Sequence, residues 1–153
     1  MILHLLAIGL QMPKDDPTFA LVKQLVGGRW EGKSGPVKVT FRYALEQEGA
    51  MIGATGMIDD GKNPKVVRVS FGWDPTAKQV YYLDQHGSDT VYFGHVTRKG
   101  SVLAFDFKGL SGDTGHYRFE TTVGKDDSSS TMSMEQDGKL ADLGLHVTMK
   151  RVR

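Results

Sequence analysis

The stretch Leu25-Val26-Gly27-Gly28-Arg29-Trp30-Glu31-Gly32 decides how this chain is read. It closes a helical period, breaks it with two glycines and opens an extended run on a large aromatic residue. Upstream, Asp16-Pro17-Thr18-Phe19 predicts a helix start, because an N-cap aspartate accepts from free N–H groups and proline suits the first helical position. Phe19, Val22, Leu25 and Val26 follow at helical spacing. Gly27-Gly28 ends the helix, since glycine takes the left-handed C-cap conformation at little cost. A helix this short with one apolar face predicts a lid or plug against a sheet.

After Trp30 no helical period survives, and the strands declare themselves by alternation. Val37, Val39, Phe41, Tyr43 and Leu45 alternate with Lys38, Thr40, Arg42, Ala44 and Glu46, the pattern of a strand with one buried face. A second run spans 51–58, where Gly53 and Gly56 predict a bend or the close approach of another group. Val67, Val69, Phe71 and Trp73 line the next strand, which stops at Asp74-Pro75-Thr76-Ala77. Further runs at 79–85, 89–98, 101–109, 115–123, 129–136 and 140–153 are separated by turn-forming clusters. With the short strand at Trp30 this makes about ten strands joined by short links, so neighbours in sequence are antiparallel neighbours in space.

Two turns sort residues by face. With Lys99-Gly100 as a two-residue loop, Val96 faces Leu103, Gly94 faces Phe105 and Tyr92 faces Phe107. With Asp137-Gly138 as another, Met134 pairs with Ala141 and Met132 with Leu143. That face continues through Leu145, Val147, Met149 and Arg151, while His146, Thr148 and Lys150 point outward. Sequential antiparallel strands with one apolar face avoid exposed edges by closing on themselves. The expected fold is therefore all-β, an up-and-down antiparallel barrel occupying residues 16–153, with one short helix. Its inner face holds Val39, Val67, Val69, Leu103, Met132 and Met134 together with Phe41, Tyr43, Phe71, Trp73, Tyr92, Phe105, Phe107, Tyr117 and Phe119. These last nine are the candidate ligand-binding residues, because a barrel of more than about eight strands has more interior than its side chains fill.

Composition narrows the function. The 153 residues carry 19 basic and 18 acidic side chains with no basic stripe, which argues against a nucleic-acid partner. The absence of cysteine removes disulfides, thiolate zinc sites and thiol nucleophiles. The apolar run within residues 1–15 is too short to span a bilayer. It reads either as a short export signal, which would place the protein outside the cytoplasm, or as an element added to the fold.

Gly28-Arg29-Trp30 after a short helix, the strand series and the near-terminal Arg151 resemble the calycin superfamily of lipocalins and fatty-acid-binding proteins. Phe19, the stretch 25–32, Gly72-Trp73-Asp74-Pro75, Tyr117-Arg118 and Lys150-Arg151 are similar in layout to the bacterial lipocalin-like DUF1579 family, over about residues 19–153. The resemblance implies that Trp30 and Arg151 pack together and close one barrel end. It also shades into nitrobindin-like haem-binding barrels, which would make His146 the iron ligand. Parity turns His146 outward, and no cofactor or metal site is expected from the residues themselves.

The other polar candidates have plainer readings. Asp84, His86 and Asp89 crowd one stretch, yet all are ordinary turn formers. His116 with Glu120, and His95 with Asp106, fall on the polar face as solvent-exposed contacts. Thr121, Thr122, Ser133 and the run 128–131 lack an adjacent base. Met51, Met57, Met132, Met134 and Met149 read as barrel lining. No catalytic residue is assigned. The expected function is binding of a small apolar or aromatic molecule, for which a fatty acid or an apolar fluorophore is the natural probe, with specificity from Tyr43, Tyr92, Tyr117 or Thr121. The rival is a barrel isomerase or cyclase acting on an apolar substrate, which would need an ionisable residue inside; Arg151 and Asp84 are the only candidates. A third possibility is a barrel filled to its axis.

Overall fold

Asp16 caps the helix as expected, its Oδ1 accepting from the Phe19 N–H at 2.8 Å, and α1 runs Pro17–Lys23 in the computed structural model, which describes residues 16–153. The readings of residues 1–15 lie outside the described residues. Leu21 joins Phe19, Val22 and Leu25 in the core, while Val26 is only partly buried. The helix ends before the glycines expected to stop it: its C-cap is Gln24 in right-handed geometry, and the chain then passes through Gly27 and Gly28, both at positive φ (91° and 71°), into the first strand.

Ten strands follow: β1 (Arg29–Ser34), β2 (Val37–Glu46), β3 (Met51–Asp59), β4 (Lys65–Asp74), β5 (Gln79–His86), β6 (Thr90–Lys99), β7 (Val102–Ser111), β8 (His116–Val123), β9 (Asp127–Gln136) and β10 (Lys139–Val152). Each pairs antiparallel with the next, and β10 returns to β1, so the sheet is a closed barrel without free edges. The closing register sets Trp30 directly opposite Arg151.

Two registers differ from expectation in instructive ways. At the β6–β7 hairpin Val96 pairs with Phe105, Gly94 with Phe107 and Tyr92 with Gly109, two residues from the expected pairing. The loop is Gly100-Ser101, with glycine at positive φ (61°) in the first loop position, as a type II′ turn requires. A shift of two preserves parity, so the inner face is unchanged. In β10, Met134 does pair with Ala141, but Met132 pairs with Leu145 because Leu143 and Gly144 form a bulge. Leu143 consequently lies exposed. Since the bulge inserts two residues, Val147 and Met149 still face inward and His146 outward.

The register also defines two ends. The links at 47–50, 75–78, 100–101 and 124–126 share one end with α1; those at 35–36, 60–64, 87–89, 112–115 and 137–138 ring the other. At the helix end Ile52, Val80, Val96 and Leu103 are almost fully buried beneath Phe19 and Val22. Trp73, opposite Val80, packs against this layer. No helix among the described residues is long and apolar enough to cross a membrane.

Candidate functional site

Above the filled layer the barrel is hollow. A cavity of about 430 Å³ extends from Leu25 and Trp30 at the closed end to Ser34, Val37 and Leu145 toward the ring of loops at the other. That volume falls in the range of small-molecule sites. Its walls differ. From β4 to β8, Phe71, Tyr82, Phe105, Phe107, Tyr92 and Tyr117 form a continuous run of rings, with Tyr82 5.2 Å from Phe105 and 5.3 Å from Phe107, and Tyr117 stacked 5.7 Å from Phe107. The wall from β9 through β1 carries Ser128, Ser130, Met132, Val147 and Met149, with Phe41 and Tyr43 completing it from β2.

Eight of the nine candidate ligand-binding residues line this cavity: Phe41, Tyr43, Phe71, Tyr92, Phe105, Phe107, Tyr117 and Phe119. Trp73 is the exception. It shares their face but sits near the 75–78 turn, partly buried against the packed layer. Trp30, by contrast, lines the cavity floor. Its indole N–H donates to the Leu25 carbonyl at 2.8 Å, and the Arg151 guanidinium lies 4.7 Å over its ring and donates to the Gln24 carbonyl. Gly56 stands where a Cβ would strike the Phe41 ring, the close approach its strand position implied.

The most polar part of the site centres on Asp84, which alternation offered as an inward ionisable residue; its partners Tyr82, not singled out from the sequence, and His86, assigned there to a turn, join it. Tyr82, Asp84 and His86 alternate along the inner face of β5, and all three line the cavity. The Tyr82 hydroxyl donates to Asp84 Oδ2 at 2.6 Å, and His86 Nε2 meets the same oxygen at 2.8 Å. Because a carboxylate only accepts, the Nε2 position carries the proton in this pair. Asp84 is 5% exposed, and its Oδ1 has no hydrogen-bond partner among the described residues. Burial foremost, then the charge of Asp84, pushes the Tyr82 and Tyr43 hydroxyls up from their ordinary range, so both remain neutral donors. His86 is thus a strand residue facing inward, opposite Val67, rather than part of the turn. Asp89 stays in the turn, its carboxylate beside Thr90.

Toward the mouth, Asp113 Oδ2 accepts from Tyr117 at 2.6 Å and from Tyr92 at 3.0 Å, while Oδ1 accepts from the Gly115 N–H at 2.7 Å. These donors, Tyr117 first, hold the Asp113 carboxyl below its ordinary value. A third polar spot is the buried pair Thr121 and Ser130, 2.9 Å apart. Neither has a base beside it among its hydrogen-bond partners.

The outer-face pairs are rearranged. His116 contacts Asp106 and Glu135 rather than Glu120, and His95, which stands directly opposite Asp106 across β6 and β7 as expected, bonds Asp74. Among the methionines, Met132 and Met149 line the cavity, Met51 and Met134 are partly buried, and Met57 is exposed because it pairs with Thr40 and Val66 on the outer face. His146 has its side chain 61% exposed beside Asp142. It cannot ligate a group inside the barrel, so the residues do not fit a haem held in the nitrobindin manner. Among the described residues no three or more acidic or histidine side chains gather as a metal site would require. No protein-family model matches the sequence, and no curated protein matches it.

Proposed function

We propose that this protein binds a small, largely apolar molecule inside a calycin-like barrel. The observation that carries the reading is the cavity of about 430 Å³, walled by aromatic rings and open away from the helix. A protein with no use for its interior would fill it, since voids lined by apolar groups forfeit packing energy. The closed ten-strand meander, with Trp30 stacked on Arg151 where the last strand meets the first, supports kinship with the lipocalin-like DUF1579 barrels. The test is native mass spectrometry of freshly purified protein, paired with titration by a neutral apolar fluorophore. A co-purified small molecule or saturable binding is expected, and Trp30 emission should respond, because Trp30 lines the floor. Failure of every apolar probe to bind would sink the reading.

One observation favours the rival, an isomerase or cyclase: Asp84 and His86 place an acid–base pair inside the cavity, 2.8 Å apart. A binding module returns its ligand unchanged. An acid–base catalyst acting at carbon exchanges solvent hydrogen into it, so deuterium in a ligand recovered from heavy water, absent with Asp84→Asn, would favour catalysis.

A further inference from the structure

We propose that the cavity selects molecules with an apolar body and a hydrogen-bond-donating head, a hydroxyl or a protonated amine, and that Asp84 receives that head. This rests on the binding reading above and specifies its ligand class. Asp84 sits midway along β5, opposite Val69 on one side and Tyr92 on the other. Its Oδ2 accepts from both Tyr82 and His86, whereas Oδ1 accepts from nothing among the described residues. A carboxylate oxygen buried without a donor is costly, and the deficit is removed when a donor arrives. Every other wall of the cavity is apolar, or carries hydroxyls that are neutral.

The same inventory argues against an anionic head. No lysine or arginine among the described residues lines the cavity. Arg151, which parity directs inward, lies over Trp30 and bonds the Gln24 carbonyl. A fatty-acid carboxylate entering the barrel would therefore meet Asp84 with no cation to offset the repulsion, and His86 is already engaged by that aspartate. A neutral alcohol loses nothing of this kind, and a protonated amine gains a charge-assisted bond. The fatty acid, the first probe that an apolar interior suggests, becomes the disfavoured member of its chain-length series.

The experiment keeps the tail fixed and varies the head. Decanol, decylamine and decanoate compete with N-phenyl-1-naphthylamine for the full-length protein at neutral pH, using wild type and Asp84→Asn. Decanol, decylamine or both should bind wild type about tenfold or more tighter than decanoate, the scale of one charged hydrogen bond. In Asp84→Asn the carbonyl can keep the Tyr82 and His86 donors and turn the amide N–H₂ into the cavity, so the preference should shrink or reverse toward decanoate. Decanoate binding wild type as well as the other two would overturn the proposal, as would an unchanged order in a folded Asp84→Asn. If the fluorophore and all three decyl compounds fail to bind, the binding reading itself falls, which separates the two failures. The wild-type order needs no variant, so the test stands even if Asp84→Asn does not fold.

Discussion

Replacing Trp30 by alanine tests the closed end most directly. The indole is 1% exposed, and truncating such an aromatic costs about 3 to 5 kcal/mol. Its N–H to the Leu25 carbonyl, at 2.8 Å, adds about 1 kcal/mol, because the carbonyl is left without its donor. A loss of about 4 to 6 kcal/mol is a large fraction of the stability of a single domain. Arg151→Ala removes the cation over the ring and the donor to Gln24, and should cost about 2 kcal/mol. Once Trp30 is gone the guanidinium has no ring to cover. The double mutant should then be less destabilised than the sum of the singles by about 0.5 to 2 kcal/mol, the range for a cation over an aromatic face. Equilibrium urea unfolding followed by circular dichroism measures all four corners of the cycle. Strictly additive losses, within about 0.5 kcal/mol, would show that the stacking carries no energy, whatever the geometry.

Other outcomes follow from the two faces. Phe105→Asp sets an unpaired carboxylate among the rings of Phe71, Tyr82 and Phe119 and should unfold the barrel or lower its urea midpoint steeply, whereas Asp106→Ala on the outer face should change the unfolding free energy by about 1 kcal/mol at most; a native-like Phe105→Asp would contradict the assigned face. His116 has its pKa raised, first by its bond to Asp106, so its stabilisation is present in full below the unfolded value near about 6.5 and is lost as pH rises through the folded value. The urea midpoint of wild type should therefore exceed that of His116→Gln most at mildly acid pH and lose the excess in alkali; a gap that widened with pH would reverse the sign. Added hemin should give no sharp Soret band, and His146→Ala should leave the spectrum as it was; a band abolished by that change would show that the outer face of β10 is misassigned.

Most of the barrel was legible because one-sided burial writes a period of two into the sequence. Strands such as β2 and β4 place Val39, Phe41, Val67, Val69 and Phe71 at alternate positions, and little else fits that pattern. Registers were less secure, because a two-residue loop can begin at Lys99 or at Gly100, and the demand for positive φ in the first loop position selects Gly100. The strand β5 was only half read, with Asp84 offered as inward but His86 assigned to the turn, for a different reason. Its outward side carries Tyr81 and Leu83 while its inward side carries Asp84 and His86, so the polarity of the alternation is inverted at the site. One signal could have recovered it. Pairing Asp74 with Gln79 across the 75–78 loop sets Asp84 opposite Val69 and His86 opposite Val67, both inward residues. Pairing carried the information that composition concealed.

That inversion also bears on why the interior is hollow. At the closed end the inward residues of β5, β6 and β7 are Val80, Val96 and Leu103, with no polar atoms to restrain them, and they close over the axis beneath the helix. Higher up, the inward residues include tyrosines whose hydroxyls are tied to carboxylates on the barrel's own strands and loops: Tyr82 to Asp84 on the same strand, Tyr92 and Tyr117 to Asp113 in the 112–115 link. A ring held by its hydroxyl to the wall lies along the wall. If it swung toward the axis it would leave a buried donor and a buried acceptor unpaired, and that cost opposes the gain from filling space. The polar groups of this cavity thus act twice. On the proposal above they offer an incoming molecule an unfilled acceptor at Asp84, and they hold back the aromatic side chains that would otherwise occupy its place.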